Sequence, residues 1–280
     1  MKNKVLLFAL FLIFEGSLYG QESPTVVNIF PQSDSLPVNI MRFYVEFSHP
    51  MQEMNIYEHV HLIDNKGQKV DSVFYQYPHE FWNNTRTKVS LLVDPGRVKR
   101  GLIAHNRLGR AFEEGVTYHL KIDSLLLNFE DQPLQKSVTK TFVAITEDIQ
   151  APNVNDWQLS QPRIETVEPL IINLKDKIDH VSAQTLLRIT QNNQLVEGHF
   201  EMKGDTSLAF IPKSDWSRGK YQLSINSKLE DLTANSVNQV FDHNIADFQA
   251  DIPPYYHLTF KAKQKTSDTL KFKGSLMLGQ

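Results

Sequence analysis

A basic stretch between residues 97 and 110 holds the side chains best suited to binding an anion. It contains no acidic residue, and its cationic and histidine side chains are Arg97, Lys99, Arg100, His105, Arg107 and Arg110. Guanidinium groups bind carboxylates, sulfates and phosphates through paired hydrogen bonds, and binding residues are common on loops carried by a rigid scaffold. The stretch therefore predicts a site for a glycan or a lipid headgroup. The alternative is that it only packs, with Leu102 and Leu108 against the domain and Arg97 or Arg100 in ion pairs.

A second segment, from Tyr75 to Thr87, is rich in aromatic residues. Its candidate binding residues are Tyr75, Tyr77, Phe81 and Trp82. The C–H faces of sugar rings stack on flat π surfaces, so this segment predicts a carbohydrate-binding loop. The alternative is core packing beneath the basic stretch. If both segments lie at one end of a domain, aromatic and cationic side chains share a surface, and that joint surface is the preferred binding site.

Motifs for catalysis or metal binding are weak in this chain. His59 and His61 would share one face of a strand, but no third ligand is apparent nearby, so we predict no metal site. Ser137 and Lys140 match a Ser-x-x-Lys pattern, but they stand at the start of a predicted strand. The sequence contains no Gly-x-Ser-x-Gly, His-Glu-x-x-His, P-loop or dinucleotide motif. We therefore predict no catalytic residues and no cofactor.

Composition limits the class of protein. The chain has 280 residues, of which 41% are hydrophobic and 22% charged, enough to bury the core of one large or two ordinary domains. The formal net charge of -3 gives no basic field, so nucleic acid is not an expected partner. The absence of cysteine excludes disulfides, a thiol nucleophile and cysteine-ligated metals.

The N-terminus has the pattern of a secretory signal peptide. Lys2 and Lys4 precede an apolar run that is too short to span a bilayer, and small or turn-forming residues follow it. We predict a signal peptide over residues 1–20 with cleavage after Gly20, and therefore export to the periplasm, the cell surface or the medium. An uncleaved anchor is the alternative. No further transmembrane segment is predicted.

Short alternating runs broken by turn residues predict an all-β fold of two sandwiches in tandem. Strand patterns of the first half recur in the second at offsets of 127, then 117, then 103 residues, the last between Tyr118 and Tyr221. The falling offset indicates two insertions in the first copy, which are the aromatic and the basic segments. We predict domains over residues 21–146 and 154–245, a linker over 147–153, and a C-terminal β-hairpin tail over 246–280.

Three short motifs resemble the bacterial immunoglobulin-like domain typified by the surface-layer protein SbsA. They are Phe47-Ser48-His49-Pro50-Met51, Gly115-Val116-Thr117-Tyr118-His119-Leu120 and the turn Asp231-Leu232-Thr233-Ala234-Asn235. In that turn Ala234 stands where glycine is usual, and alanine accepts a positive φ less readily. The resemblance implies Greek-key sandwiches and an extracellular setting, and it implies no catalytic residues.

Together these features predict a non-enzymatic envelope protein. It would use the loops of its first domain to bind an envelope protein, a surface glycan or a lipid headgroup. Two alternatives stay open: a structural spacer of the cell surface, and an exported hydrolase with a site at the domain junction.

Overall fold

The computed structural model describes residues 22–99, 109–237, 239–242 and 252–264, and most of its regular structure is β-strand. The predicted signal peptide lies outside the described residues. The described residues include three short α-helices, α1 (Ile56–His59), α2 (Pro95–Val98) and α3 (His180–Thr185), with a 3-10 turn at Val154–Asp156. The predicted all-β fold class is confirmed.

The first half of the chain folds into two four-stranded sheets. One sheet contains, in spatial order, β1 (Val26–Phe30), β3 (Arg42–Phe47), β6 (Lys88–Leu92) and β5 (Phe81–Trp82). The other contains β2 (Ser35–Pro37), β8 (Val138–Ile145), β7 (Thr117–Ile122) and β4 (Val60–Ile63), with β2 parallel to β8.

The second half builds two further sheets. The first has the order β13 (Gly198–Met202), β14 (Ser207–Pro212), β10 (Leu170–Asn173) and β9 (Gln158–Leu159). The other has the order β12 (Gln194–Leu195), β11 (Leu187–Gln191), β15 (Lys220–Asn226) and β16 (Tyr255–Lys261).

Both halves have the strand order of an immunoglobulin sandwich. In that fold strands A, B, E and D form one sheet and C, F and G face them from the other. Strands β1, β3, β6 and β5 occupy the A, B, E and D places, and β4, β7 and β8 the C, F and G places. In the second half β9, β10, β14 and β13 oppose β11, β15 and β16 in the same way. The chain is thus a tandem pair of immunoglobulin-like sandwiches.

Each sandwich also has the tyrosine corner that marks the start of strand F in immunoglobulin folds. The Tyr118 hydroxyl accepts a hydrogen bond from the main-chain N–H of Glu113 at 2.9 Å. The Tyr221 hydroxyl accepts one from the N–H of Ser217 at 2.8 Å. In each case this hydrogen bond connects the end of the preceding loop to the strand. The two domains of the predicted repeat therefore share the tyrosine corner as well as the strand order.

An aromatic trio surrounds each of these tyrosines. An upstream ring packs edge-on against the tyrosine, and a ring from the last strand stacks on it. The trios are Phe112, Tyr118, Phe142 and Trp216, Tyr221, Phe260. Since Phe260 belongs to β16, that strand is part of the second core. Of the two runs expected to form a tail hairpin, β16 is the first; the second lies outside the described residues.

The turn containing Ala234 forms although glycine is absent. Ala234 adopts a left-handed φ of 63°, and the Asp231 carboxylate accepts hydrogen bonds from the N–H groups of Thr233 and Asn235 at 2.7 and 2.9 Å. Burial raises the pKa of Asp231 to about 7, although these donors act to lower it. Ala234 and Leu232 are buried in the core of the first sandwich, so this turn of the second domain also joins the two domains.

Candidate binding surface

Four side chains of the aromatic segment form an aromatic patch at the surface, made of exposed Tyr75, Tyr77 and His79 and half-buried Phe81. The Tyr75 and Tyr77 ring centroids lie 6.3 Å apart and those of Tyr77 and Phe81 5.9 Å apart, with interplanar angles of 24° and 25°. Tyr75 is 43% and Tyr77 49% exposed. Trp82 lies elsewhere, because it packs inward against Phe47 with centroids 5.7 Å apart. Three of the four aromatic residues predicted to bind are therefore together at the surface.

Acidic side chains hold the segment that carries the patch. One carboxylate oxygen of Glu80 accepts a hydrogen bond from the Ile56 N–H at 2.6 Å, and the other accepts one from the Trp82 indole N–H. Glu53 in turn accepts hydrogen bonds from the Glu80 N–H and from the Arg86 guanidinium. These contacts fix the loop to the domain, so the patch stands on an ordered support.

Arg97 faces the interior of the protein. It is 6% exposed and donates hydrogen bonds to the main-chain carbonyls of Gly109, Asp71, Ser72 and Arg110, at 2.8 to 3.1 Å. Burial lowers its pKa, with Asp94 acting in the opposite direction. Arg97 thus fixes the course of its loop, as in the packing alternative, although through carbonyl groups and not through an ion pair. It also joins the basic stretch to the segment that precedes the patch.

We expect Arg97→Lys to destabilise the protein by about 2–3 kcal/mol, because a lysine cannot serve four carbonyls arranged around a planar, buried guanidinium. Urea unfolding measures this change. Arg110→Lys is the matched control, since Arg110 pairs with Glu147 in a partly exposed setting and should cost less than about 1 kcal/mol. Equal losses for the two variants would contradict the role assigned to Arg97.

The remaining cationic candidates are placed differently. The Lys99 ammonium lies 5.3 Å from the ring centroid of Phe241, a cation–π contact. Arg110 forms an ion pair with Glu147. The other three, Arg100, His105 and Arg107, lie outside the described residues. A site that combines the aromatic patch with these cations therefore stays a prediction.

The predicted face-sharing of His59 and His61 on a strand is wrong. His59 is the last residue of α1, and only His61 lies on β4. Both rings nevertheless point to Asp123, with His59 Nδ1 3.0 Å and His61 Nε2 4.0 Å from its carboxylate oxygens. Across the described residues, no group of three or more His, Cys, Asp or Glu side chains has the arrangement of a metal site.

A junction cluster of four residues, Arg42, Tyr44, Asp179 and Glu230, connects the two sandwiches. The Tyr44 hydroxyl donates to the Asp179 carboxylate at 2.7 Å, and an Arg42 Nη donates to Glu230 at 2.5 Å. Tyr44 is 4% and Asp179 2% exposed. Burial raises the pKa of Tyr44, and the charge of Asp179 adds to the effect. The sequence analysis did not predict this cluster. Arg42 and Tyr44 alternate with core residues along β3, and this pattern is typical of a strand whose outer face is exposed to solvent.

A second set of contacts lies beside the junction cluster. The His180 ring of α3 stacks on Phe30 of the first domain with centroids 3.7 Å apart, and its Nε2 lies 2.9 Å from the Lys88 ammonium. A hydrogen bond to His180, with others to Lys88 and Asn28, lowers the pKa of Glu46 to about 2 although burial acts to raise it. The outer face of one sheet of the first sandwich is thus covered by α3 of the second.

Strand order and the two tyrosine corners define the class of the chain as a tandem immunoglobulin-like β-sandwich protein. No protein-family model and no curated protein matches it. Among the described residues, no helix has the length and apolar character needed to cross a membrane.

Several solved structures are similar to the chain. A fragment of native alpha-2-macroglobulin from Escherichia coli, spanning domains MG0-NIE-MG1, is 14% identical, with a TM-score of 0.28 over 86% of this chain and 72% of that one. The N-terminal part of the bacterial S-layer protein SbsC is 11% identical, with a TM-score of 0.30 over 72% and 40%. A chimeric titin Z1Z2 is 11% identical, with a TM-score of 0.26 over 87% and 97%. At these TM-scores the assignment of fold rests on the chain's own topology.

Proposed function

We propose that the chain is a non-enzymatic, exported module of the bacterial cell envelope that binds carbohydrate through the aromatic patch. The observation that carries this proposal is the grouping of exposed Tyr75 and Tyr77 with half-buried Phe81 as nearly parallel rings on a segment held by hydrogen bonds to Glu80. Exposed aromatic residues cost free energy in water unless a partner covers them, and sugar rings present C–H faces of matching shape. The signal-peptide pattern supports the exported location.

The basic stretch has a smaller part in this proposal than the sequence suggested. Arg97 and Arg110 are engaged within the protein, and Lys99 lies against Phe241. The aromatic patch therefore carries recognition in the proposal, and a surface glycan is favoured over a lipid headgroup or an envelope protein as partner.

We expect the double variant Tyr75→Ala/Tyr77→Ala to lose at least tenfold in glycan affinity, because each ring provides a flat stacking surface (~1.4 kcal/mol per tenfold). Calorimetric titration with cellohexaose, maltohexaose and mannohexaose measures it. Phe129→Ala is the matched control: Phe129 is also exposed, at 57%, but is not part of the patch. Equal affinity of the double variant and the native protein would overturn the proposal, as would no binding of any hexaose by the native protein.

A structural spacer is the second candidate, and the junction cluster is the observation that favours it. Side chains of both domains pair across the interface, which suits a protein that must hold a fixed length. Small-angle X-ray scattering that shows a rigid two-domain particle, together with no binding in the titrations, would favour the spacer. The hydrolase alternative has less support, because the acidic residues of the junction cluster are engaged with Arg42 and Tyr44.

A further inference from the structure

A junction pocket of about 350 Å³ opens between the two domains next to the aromatic patch. Its first wall is the outer face of the first sandwich, where Phe81, Ser90 and Tyr44 stand opposite one another on neighbouring strands. Its second wall comes from α3 and from the turn after β15, which contributes Lys228 and Glu230. Pockets for small molecules occur preferentially at such domain interfaces.

The junction pocket and the aromatic patch form one continuous surface. Phe81 belongs to both: its ring lies 5.9 Å from that of Tyr77, and it also lines the pocket. A ligand that stacks on Tyr77 therefore lies next to the ring that lines the pocket. We infer that the junction pocket is the specificity subsite of the carbohydrate site and takes one neutral hexopyranose unit. This inference rests on the proposed function. It adds that the junction pocket selects one sugar unit of the ligand, which the aromatic patch alone does not do.

The free polar groups of the pocket suit sugar hydroxyls. Among the described residues, the Lys228 ammonium makes no ion pair and the Ser90 hydroxyl makes no hydrogen bond. The carboxylate of Glu230 binds Arg42 through one oxygen, which leaves the other as an acceptor. A sugar hydroxyl both donates and accepts hydrogen bonds, so it needs donors and acceptors side by side. Lys228, Ser90 and Glu230 supply both.

The charge and size of the pocket limit the ligand further. Its two cations, Arg42 and Lys228, balance its two carboxylates, Asp179 and Glu230, so the lining carries no net charge and favours a neutral sugar. The volume lies at the lower end of the range for small-molecule sites, about 300–1,000 Å³. One sugar unit therefore occupies the pocket, and the rest of a chain extends over the patch.

The two walls are held in place before any ligand binds. The Tyr44–Asp179 and Arg42–Glu230 contacts cross the junction directly beside the pocket. A pocket built from fixed elements loses little conformational freedom on binding, so more of the contact energy becomes affinity. The same contacts explain why Arg42 and Glu230 are unsuitable test positions: their removal would alter the junction itself.

Lys228→Ala and Ser90→Ala test the subsite. Within the part of the chain that the structure describes, neither side chain contributes a hydrogen bond or ion pair to the domain interface, so we expect unchanged thermal unfolding and about tenfold weaker binding of the preferred hexaose (~1.4 kcal/mol). Calorimetric titration of the full two-domain protein with cellohexaose, maltohexaose, mannohexaose and xylohexaose measures it. Lys66→Ala, at an exposed turn of the first domain, is the control and should bind as the native protein does.

The outcomes separate the subsite from the proposed function. Native-like binding by Lys228→Ala and Ser90→Ala, with loss only in Tyr75→Ala/Tyr77→Ala, would overturn the subsite and keep the aromatic site. Tighter binding of a hexagalacturonate than of every neutral hexaose would overturn the neutral-sugar assignment. No binding of any hexaose by the native protein would overturn both proposals.

Discussion

Asp179→Ala is expected to lower the free energy of unfolding by about 3–5 kcal/mol, because the carboxylate has three partners at a buried junction. It caps α3 by accepting from the Ser182 N–H at 2.9 Å, and it accepts from the Tyr44 hydroxyl at 2.7 Å. It also lies 3.7 Å from an Arg42 nitrogen. Alanine leaves the Tyr44 hydroxyl without its acceptor and Arg42 with one carboxylate fewer. Urea unfolding followed by circular dichroism gives the change.

Asp179→Asn is the matched control for this prediction. Asparagine is a good N-cap and can still accept from Tyr44, so only the charge opposite Arg42 is lost. We expect this variant to lose about half as much stability as Asp179→Ala. A loss below 1 kcal/mol for Asp179→Ala would mean that the junction cluster contributes nothing net, and the fixed junction inferred above would lose its basis.

Trp216→Ala is expected to destabilise the second sandwich by about 3–5 kcal/mol, the range for removing a fully buried large aromatic side chain. Trp216 is 1% exposed, packs edge-on against Tyr221 with centroids 5.0 Å apart, and contacts the rings of Phe210 and Phe260. Its indole N–H also donates to the main-chain carbonyl of Glu168 at 2.7 Å. Removal opens a cavity at the tyrosine corner. Differential scanning calorimetry measures the shift in unfolding.

Trp216→Phe provides the control, because the first domain has Phe112 at the corresponding corner. Phenylalanine is compatible with this geometry, so we expect a loss of about 1–2 kcal/mol from the smaller ring and the missing donor to Glu168. If Trp216→Phe were as damaging as Trp216→Ala, the equivalence of the two corners would not hold.

The strands and their repetition were predictable because their signal is local. Alternation in Phe43, Val45 and Phe47 sets which side of β3 faces the core, and these residues are buried. The 103-residue offset between Tyr118 and Tyr221 aligns two strands that occupy the same place in their sheets. Backbone pleating requires only neighbouring residues, so a single sequence carries this information.

The sequence was less informative about side chains with two possible partners. Arg97 suits an anion as well as it suits main-chain carbonyls, and only the course of the chain at residues 71, 72, 109 and 110 decides between them. Tyr75 and Trp82 look alike in sequence, yet one is exposed and the other packs on Phe47. Residue type alone does not distinguish these settings.

The sequence by itself determined the all-β class and the tandem repeat, and it supplied the signal-peptide pattern and the aromatic segment on which the proposed function rests. Only the tertiary structure decided that Arg42 and Tyr44 face a second domain instead of water, and that Phe81 connects the aromatic patch to a pocket at the junction. The physical reason is the distance along the chain over which each kind of interaction acts. Alternation and turn chemistry act over a few residues, whereas the junction brings together residues more than 130 positions apart, whose pairing depends on how two finished sandwiches pack.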